Sequence, residues 1–282
     1  MPETTADSIR DLLRFRPGTS LGDIGSNAQP GFEGDKAEGK DAMPAMGEEL
    51  ADLQEKLFAA GYTEGERRIL LVLQGMDTSG KGGVLQHTVG LLNPNGLKLK
   101  SFKKPTDEEL SHDFLWRVEK EIPEAGMIGI FDRSHYEDVL VVRVHELAGP
   151  EEIERRYQAI NDFEKRLSDD GTILIKCMLH ISKDTQKERL LARLDEPTKQ
   201  WKFKPGDIDE RAHWQDYQAA YQTVLDRCST DVAPWYVVPS DKKWYRNWAI
   251  GQMLLETLRE LDLDWPEPDY DVAEQRARLE NE

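Results

Sequence analysis

Three groups of residues in this sequence have the types and spacing for phosphate chemistry. The first is Gly75-Met-Asp-Thr-Ser-Gly-Lys-Gly-Gly83, in which Gly75, Gly80 and Lys81 stand at G-x-x-x-x-G-K spacing. Glycines so placed let backbone N–H groups turn inward on a phosphate, aided by the N-terminus of a following helix. Lys81 would add a compact positive charge for the outer phosphates. Gly75, Thr78, Ser79, Gly80, Lys81, Gly82 and Gly83 are therefore read as phosphate-binding. The common motif continues with Ser or Thr, whose hydroxyl holds Mg²⁺, but this chain has Gly82 there. If a metal is used, another oxygen must serve, and Asp77 offers a hard carboxylate inside the loop. The competing reading of Asp77 is a turn residue bonding its own backbone.

The second group follows an apolar run, Met127 to Phe131, that ends in Asp132. An Asp delivered by a strand beside a phosphate loop reaches Mg²⁺ directly or through water. Arg133, Ser134, His135, Tyr136, Glu137 and Asp138 come next, where a parallel strand would open onto a ligand crevice. Arg133 suits bidentate contact with phosphate oxygens, or a structural pair with a carboxylate. In the third group Arg189 and Arg193, four apart, share a helix face. Lys199, Lys202 and Lys204 follow, with Trp201 and Phe203 between them. This is either a solvated charge run over packed aromatics or a lid that closes positive charge over a polyanion and excludes water.

The elements that must position these groups read as strands near 69–74, 97–102, 127–131, 172–179 and 235–238, alternating with helices. That pattern implies a three-layer α/β/α sandwich around a parallel sheet of about five strands, with right-handed crossovers. Leu50, Leu53, Leu57 and Phe58 mark a helix ending at Gly61. Thr106 and Glu109 form a capping box at the start of a helix to about Glu121. Ser182 or Asp184 caps the helix bearing Arg189. Residues 207–225 read as one helix, with Trp214, Tyr217 and Tyr221 more as core than as a ligand platform. Val232 to Val238, with Pro234 inside, reads as an edge strand. Lys242, Lys243 and Arg246 lie near the start of the last long helix, where positive charge is unfavourable unless an anion meets it. Residues 1–45, broken by Pro and Gly, read as an extended arm on the domain or on a neighbouring subunit, residues 46–262 as the domain with its lid, and 263–282 as an acidic tail.

Composition narrows the partners. The chain has 282 residues, 32% charged and 38% apolar, and a net charge of −17. Such an acidic balance disfavours nucleic acid, though it permits a local basic groove. No stretch approaches a membrane span, and the first residues lack a secretory pattern. Cys177 and Cys228 do not make a disulfide framework, so the expected location is the reducing cytoplasm. Six histidines without metal spacing argue against zinc.

Four segments taken together carry a specific resemblance: Gly75 to Gly83, Ser111-His-Asp-Phe-Leu-Trp-Arg117, Phe131-Asp-Arg-Ser-His-Tyr-Glu-Asp138 and Lys199-Gln-Trp-Lys-Phe203. In this order they resemble the polyphosphate kinase 2 family over most of residues 8–260. The resemblance implies a thymidylate-kinase-like P-loop fold with a helical lid. It also implies phosphoryl transfer between inorganic polyphosphate and a nucleotide, with Mg²⁺ or, in its place, Mn²⁺. The run from Tyr136 to Val141 is similar to the class that accepts nucleoside monophosphates as well as diphosphates. On that reading Asp77 and Asp132 hold the metal, and Lys81, Arg133 and Arg193 neutralise the transferred group. Arg189, Lys199 and Lys202 track the polyphosphate, while Lys103 and Glu137 meet the acceptor. The expected nucleotides are adenine ones, with guanine as the alternative base, and the expected assembly is a homodimer or homotetramer. Two rivals stand beside it: an ATP-dependent kinase of the same fold, and a non-catalytic P-loop nucleotide sensor. The absence of an Asn-Lys-x-Asp motif disfavours a GTPase switch.

Overall fold

In the computed structural model, which describes residues 8–63 and 65–282, β1 (Arg68–Gln74) is the central strand of a five-stranded sheet. Parallel partners flank it on both sides, β3 (Ile128–Asp132) and β4 (Thr172–His180). β2 (Leu97–Ser101) and β5 (Trp235–Pro239) form the edges, giving the order β2-β3-β1-β4-β5 with every pairing parallel. Strands covered on both faces need near-continuous apolar sequence, and β1 is buried from Ile69 to Gln74. β2 alternates and is largely open, as an edge strand tolerates. β5 is the second edge, as the proline at 234 suggested.

Helices cover both faces. Leu70, Val72, Phe131, Leu174 and Val237 point to the side of α7 (Pro150–Asp169) and α10 (Trp214–Cys228). Leu71, Leu73, Ile130, Ile175 and Val238 point to α2 (Lys36–Ala60), α3 (Lys81–His87) and α11 (Lys243–Glu260). The period-two alternation of strand side chains sorts them into these two cores.

Several boundaries differ from the expectation. α2 starts at Lys36, inside the stretch read as an extended arm, with Asp35 and Glu38 forming a capping box. Gly39 looked like a helix breaker, but a Cβ there would come within 2.3 Å of the Trp244 ring, so the glycine admits α11 against α2. Of the expected arm, residues 1–7 lie outside the described residues, and residues 8–35 lie on their own domain. Ser8 caps α1 (Ile9–Leu13), Phe15 N–H donates to Trp235 O at 2.7 Å, and Arg14 bridges antiparallel to Tyr236. This covers the open edge of β5.

The helix expected from Thr106 has its capping box but breaks into α4 (Asp107–Leu110) and α5 (Trp116–Glu119). Asp113 accepts from Leu115 N–H at 3.0 Å, a local bond that competes with helix continuation. α6 (Val141–Val144) is one turn. Ser182, not Asp184, caps α8 (Lys183–Asp195). The helix expected over 207–225 is two, α9 (Gly206–Ala212) and α10, parted at His213. The tail carries α12 (Val272–Glu280), with no buried residue. Among the described residues no helix is long and apolar enough to cross a membrane, and both cysteines are free and buried.

Candidate active site

The carboxyl ends of β1 and β3 meet in register, Leu73 opposite Asp132. This is where ligands enter an open α/β sheet. Gly75 leaves β1 at φ 151° and Gly80 precedes α3 at φ 110°, conformations that suit glycine. A Cβ on Gly75 would lie 2.7 Å from Ser79 Oγ, and one on Gly80 would enter the Arg246 guanidinium. Thr78 and Arg133 also hold left-handed φ, 64° each. Such conformations in non-glycine residues cost about 1–3 kcal/mol and persist where the surroundings enforce them.

The enforcing groups are identifiable. Arg189 Nη1 donates to Thr78 O at 2.8 Å and Ser79 O at 3.2 Å. Its Nη2 donates to Ser240 O at 2.6 Å and Asp241 O at 3.0 Å. Arg246 Nη1 reaches Ser79 O from the other side, at 3.1 Å. Arg189, expected on phosphate, thus braces the loop to the end of β5. Arg246, expected to meet an anion, meets a carbonyl and the Asn247 side chain. Burial and then the neighbouring Arg189 push the Arg246 guanidinium down to about 9. Spacing on a helix face does not reveal what stands opposite, which is why sequence reading missed both roles.

Around the loop five charged groups gather. Lys81 Nζ donates to Gly75 O at 2.9 Å, and Arg133 Nη2 lies 3.6 Å from Asp77 Oδ1. Loss of solvation, then Arg133, pull the Lys81 ammonium below its ordinary value, while Asp132, Asp77 and Glu137 oppose them. Loss of solvation also works against the Arg133 charge, but Glu137, Asp77 and Asp132 hold it above its ordinary value. Loss of solvation raises the Glu137 carboxyl against Arg133 and Lys81. Asp77, Lys81, Asp132, Arg133 and Glu137 are therefore one electrostatic cluster.

A cavity of about 380 Å³ opens beside it. Gly75, Asp77, Arg133 and Glu137 line it together with the apolar and aromatic Leu140, Val141, Tyr217 and Tyr221. Tyr217 and Tyr221 are therefore both core and cavity wall, a dual role that aromatic spacing alone does not separate. Lys204, Asp207 and Glu210 reach the same cavity from the segment between α8 and α10. Lys204 belongs to the basic run at 199–204, whereas Glu210 carries no local signal in the sequence.

The remaining expected residues lie elsewhere. Arg193 pairs with Asp207 at 3.4 Å, next to the cavity. Lys199 pairs with Glu196, and Lys202 lies over the exposed ring of Trp201. Lys103 is exposed, and its carbonyl accepts from Arg117 at 2.9 Å. None of Lys103, Lys199 and Lys202 lines the cavity, nor do Lys81, Asp132, Arg189 and Arg193, whereas Asp77, Arg133 and Glu137 do.

Two carboxylates are the metal candidates. Asp132 Oδ2 lies 3.4 Å from Ser101 Oγ, while its Oδ1 is buried with no hydrogen-bond partner. Thr78 Oγ1 and Ser79 Oγ are likewise buried and unpartnered. Among the described residues no three His, Cys, Asp or Glu gather as a metal cage. Mg²⁺ at phosphate-transfer sites needs only one or two carboxylates, with waters and phosphates completing the shell, so Asp77 and Asp132 fit that cation.

Beneath the site lies a charged network with no solvent contact. Lys176 Nζ donates to Glu164 Oε2 at 2.6 Å, Tyr136 OH at 2.8 Å and Cys228 O at 2.7 Å. Tyr136 OH donates to Glu164 Oε1 at 2.7 Å. Against burial, Lys176 and then His135 hold the Glu164 carboxyl below its ordinary value. The only hint in sequence was a lone lysine inside the apolar run of β4.

Comparison with known proteins agrees with this geometry. The chain matches the family Polyphosphate kinase 2 over residues 33–264. It is 46% identical over 238 residues to a protein of Meiothermus ruber named AMP/ADP-polyphosphate phosphotransferase, covering 84% of this chain and 88% of that one. It is 42% identical over 232 residues to an ADP-polyphosphate phosphotransferase of Rhodopseudomonas palustris, covering 78% and 79%. The crystal structure of polyphosphate kinase 2 from Arthrobacter aurescens superposes with a TM-score of 0.96 at 54% identity, covering 98% of each chain. With the P-loop, the strand-delivered Asp132 and this match in place, the chain belongs to the polyphosphate kinase 2 family.

Proposed function

We propose that this chain transfers phosphoryl groups between inorganic polyphosphate and a nucleotide, with AMP, ADP or both as acceptor. The relatives' names supply the two acceptors. The observation that carries the reading is the electrostatic cluster of Lys81, Arg133, Asp77, Asp132 and Glu137, of which Asp77, Arg133 and Glu137 line the cavity. Phosphoryl transfer needs positioning and charge neutralisation more than covalent chemistry. An acceptor phosphate oxygen is already ionised, so no strong general base is required. Lys81 and Arg133 would neutralise charge that develops on the transferred group. Arg193, Lys199 and Lys202 belong to the proposed lid and would bring positive charge over the donor when it closes.

Asp77 and Asp132 would hold Mg²⁺, or Mn²⁺ in its place, with the orphaned Asp132 Oδ1 the expected ligand. The bound cation would neutralise phosphate charge and fix the phosphates in line. Two free buried thiols fit a reducing compartment, so cytoplasm is the proposed location.

The test is to incubate the chain with Mg²⁺ and long-chain polyphosphate plus AMP or ADP, and to resolve the nucleotides. ADP or ATP should appear only when polyphosphate is present. Turnover with ATP as sole donor and none with polyphosphate would overturn the reading in favour of an ATP-dependent kinase.

A further inference from the structure

The cavity is not uniform in charge: Arg133 and Lys204 line it with positive charge, and Glu210 with a carboxylate. Arg133 stands at the P-loop side. From α9 the same cavity receives Glu210, whose side chain is 42% exposed. Tyr217 OH donates to Glu210 Oε2 at 2.8 Å, and His145 Nε2 lies 3.0 Å from Oε1. These partners fix the carboxylate without exhausting it, because two carboxylate oxygens carry about four acceptor sites. Its rim neighbour Asp207 differs: Oδ2 is engaged by Arg193 and by Lys204 N–H, at 3.4 and 3.2 Å, and its side chain is only 12% exposed.

A carboxylate in this place repels a phosphate and welcomes a hydrogen-bond donor. Polyphosphate has no such donor along its length. A nucleotide has them only in its nucleoside, as ribose hydroxyls or a base amine. Leu140, Val141 and Tyr217, which share the cavity with Glu210, supply the apolar contact a nucleoside needs. We infer that Glu210, braced by Tyr217 and His145, accepts a hydrogen bond from the nucleoside of the acceptor nucleotide and sets the cavity's preference for that substrate end. The inference rests on reading the cavity as the acceptor site.

Binding tests it independently of turnover. Calorimetric Kd values are compared for AMP, 2′-deoxy-AMP, 3′-deoxy-AMP and IMP, in wild type and in Glu210→Gln. A hydrogen bond to a charged group is worth about tenfold or more in affinity. Wild type should bind at least one analogue about tenfold more weakly than AMP, and Glu210→Gln should close that gap by weakening AMP. Closure for a deoxy analogue assigns the ribose hydroxyl, and closure for IMP assigns the base amine. Tyr217→Phe, which keeps the carboxylate but removes its brace, should narrow the same gap in part. Equal wild-type affinity for all four nucleotides, or a gap unchanged in Glu210→Gln, would overturn the inference. Turnover of wild type with polyphosphate is scored separately, so loss of the phosphotransfer reading is not confused with loss of this one.

Discussion

Lys81 opens α3 beyond the end of β1 and Lys176 lies inside the neighbouring β4, yet the molecule uses them in opposite ways. Lys176 has all three ammonium hydrogens placed, on Glu164, Tyr136 and Cys228, with no solvent access. Lys81 makes one recorded hydrogen bond, to its own loop at Gly75 O. Its remaining donors face a cluster of carboxylates beside a cavity. A satisfied buried charge holds structure, whereas an under-satisfied one at a cleft is available to a ligand. The same contrast separates Glu164, held below its ordinary value beside Lys176, from Glu137, raised by loss of solvation.

The comparison breaks first, if it breaks, at Lys176. Replacing it by Met strands the Glu164 charge in the interior, a change expected to cost about 3–5 kcal/mol of stability. Chemical denaturation of Lys176→Met should show that loss, and Lys176→Met combined with Glu164→Gln should recover part of it. A single variant as stable as wild type would mean the network is not a charged pair.

Lys81 should behave the other way round. Lys81→Ala and Asp132→Asn should each lower turnover with polyphosphate by about a hundredfold or more, as when a transition-state charge partner is removed. Their melting temperatures should stay close to wild type, since neither deletes a satisfied buried pair. Near-normal turnover in either variant would remove that residue from the proposed chemistry.

The smallest effect sharpens the carboxylate contrast. A raised carboxyl pKa means the folded state binds a proton more tightly than the unfolded chain. Its stability cost is thus fully present above the raised value and relieved as pH falls through it to the ordinary Glu range near ~4.3. Glu164 has the reverse sign, its contribution present above the ordinary range and lost as pH falls through the lowered value. Glu137→Gln should therefore raise the melting temperature slightly at neutral pH, with the gain fading in acid. A lower melting temperature at neutral pH would show that pairing with Arg133 outweighs lost solvation.

How much was legible in advance depends on how local each signal is. The G-x-x-x-x-G-K spacing, the Asp at the end of an apolar strand and the strand–helix alternation are all contained in short windows. They mark Gly75 to Gly83 and the polar segment from Asp132 to Asp138, from which the fold gathers Asp77, Lys81, Asp132, Arg133 and Glu137. Arg189 was misassigned because its partners, at Thr78, Ser79, Ser240 and Asp241, are remote in sequence. Gly39 was misread as a breaker because Trp244, the ring that requires it, lies on another helix.

By itself the sequence determined the sheet's strands, the phosphate loop and the acidic residue that faces it, because backbone propensity and side-chain alternation act over a few residues. Tertiary structure alone decided which cations line the cavity and which brace the loop. It also decided that Glu210 would share a cavity with Arg133. Those outcomes depend on which groups pack together across the fold, and hydrogen-bond satisfaction is settled only when every partner is in place.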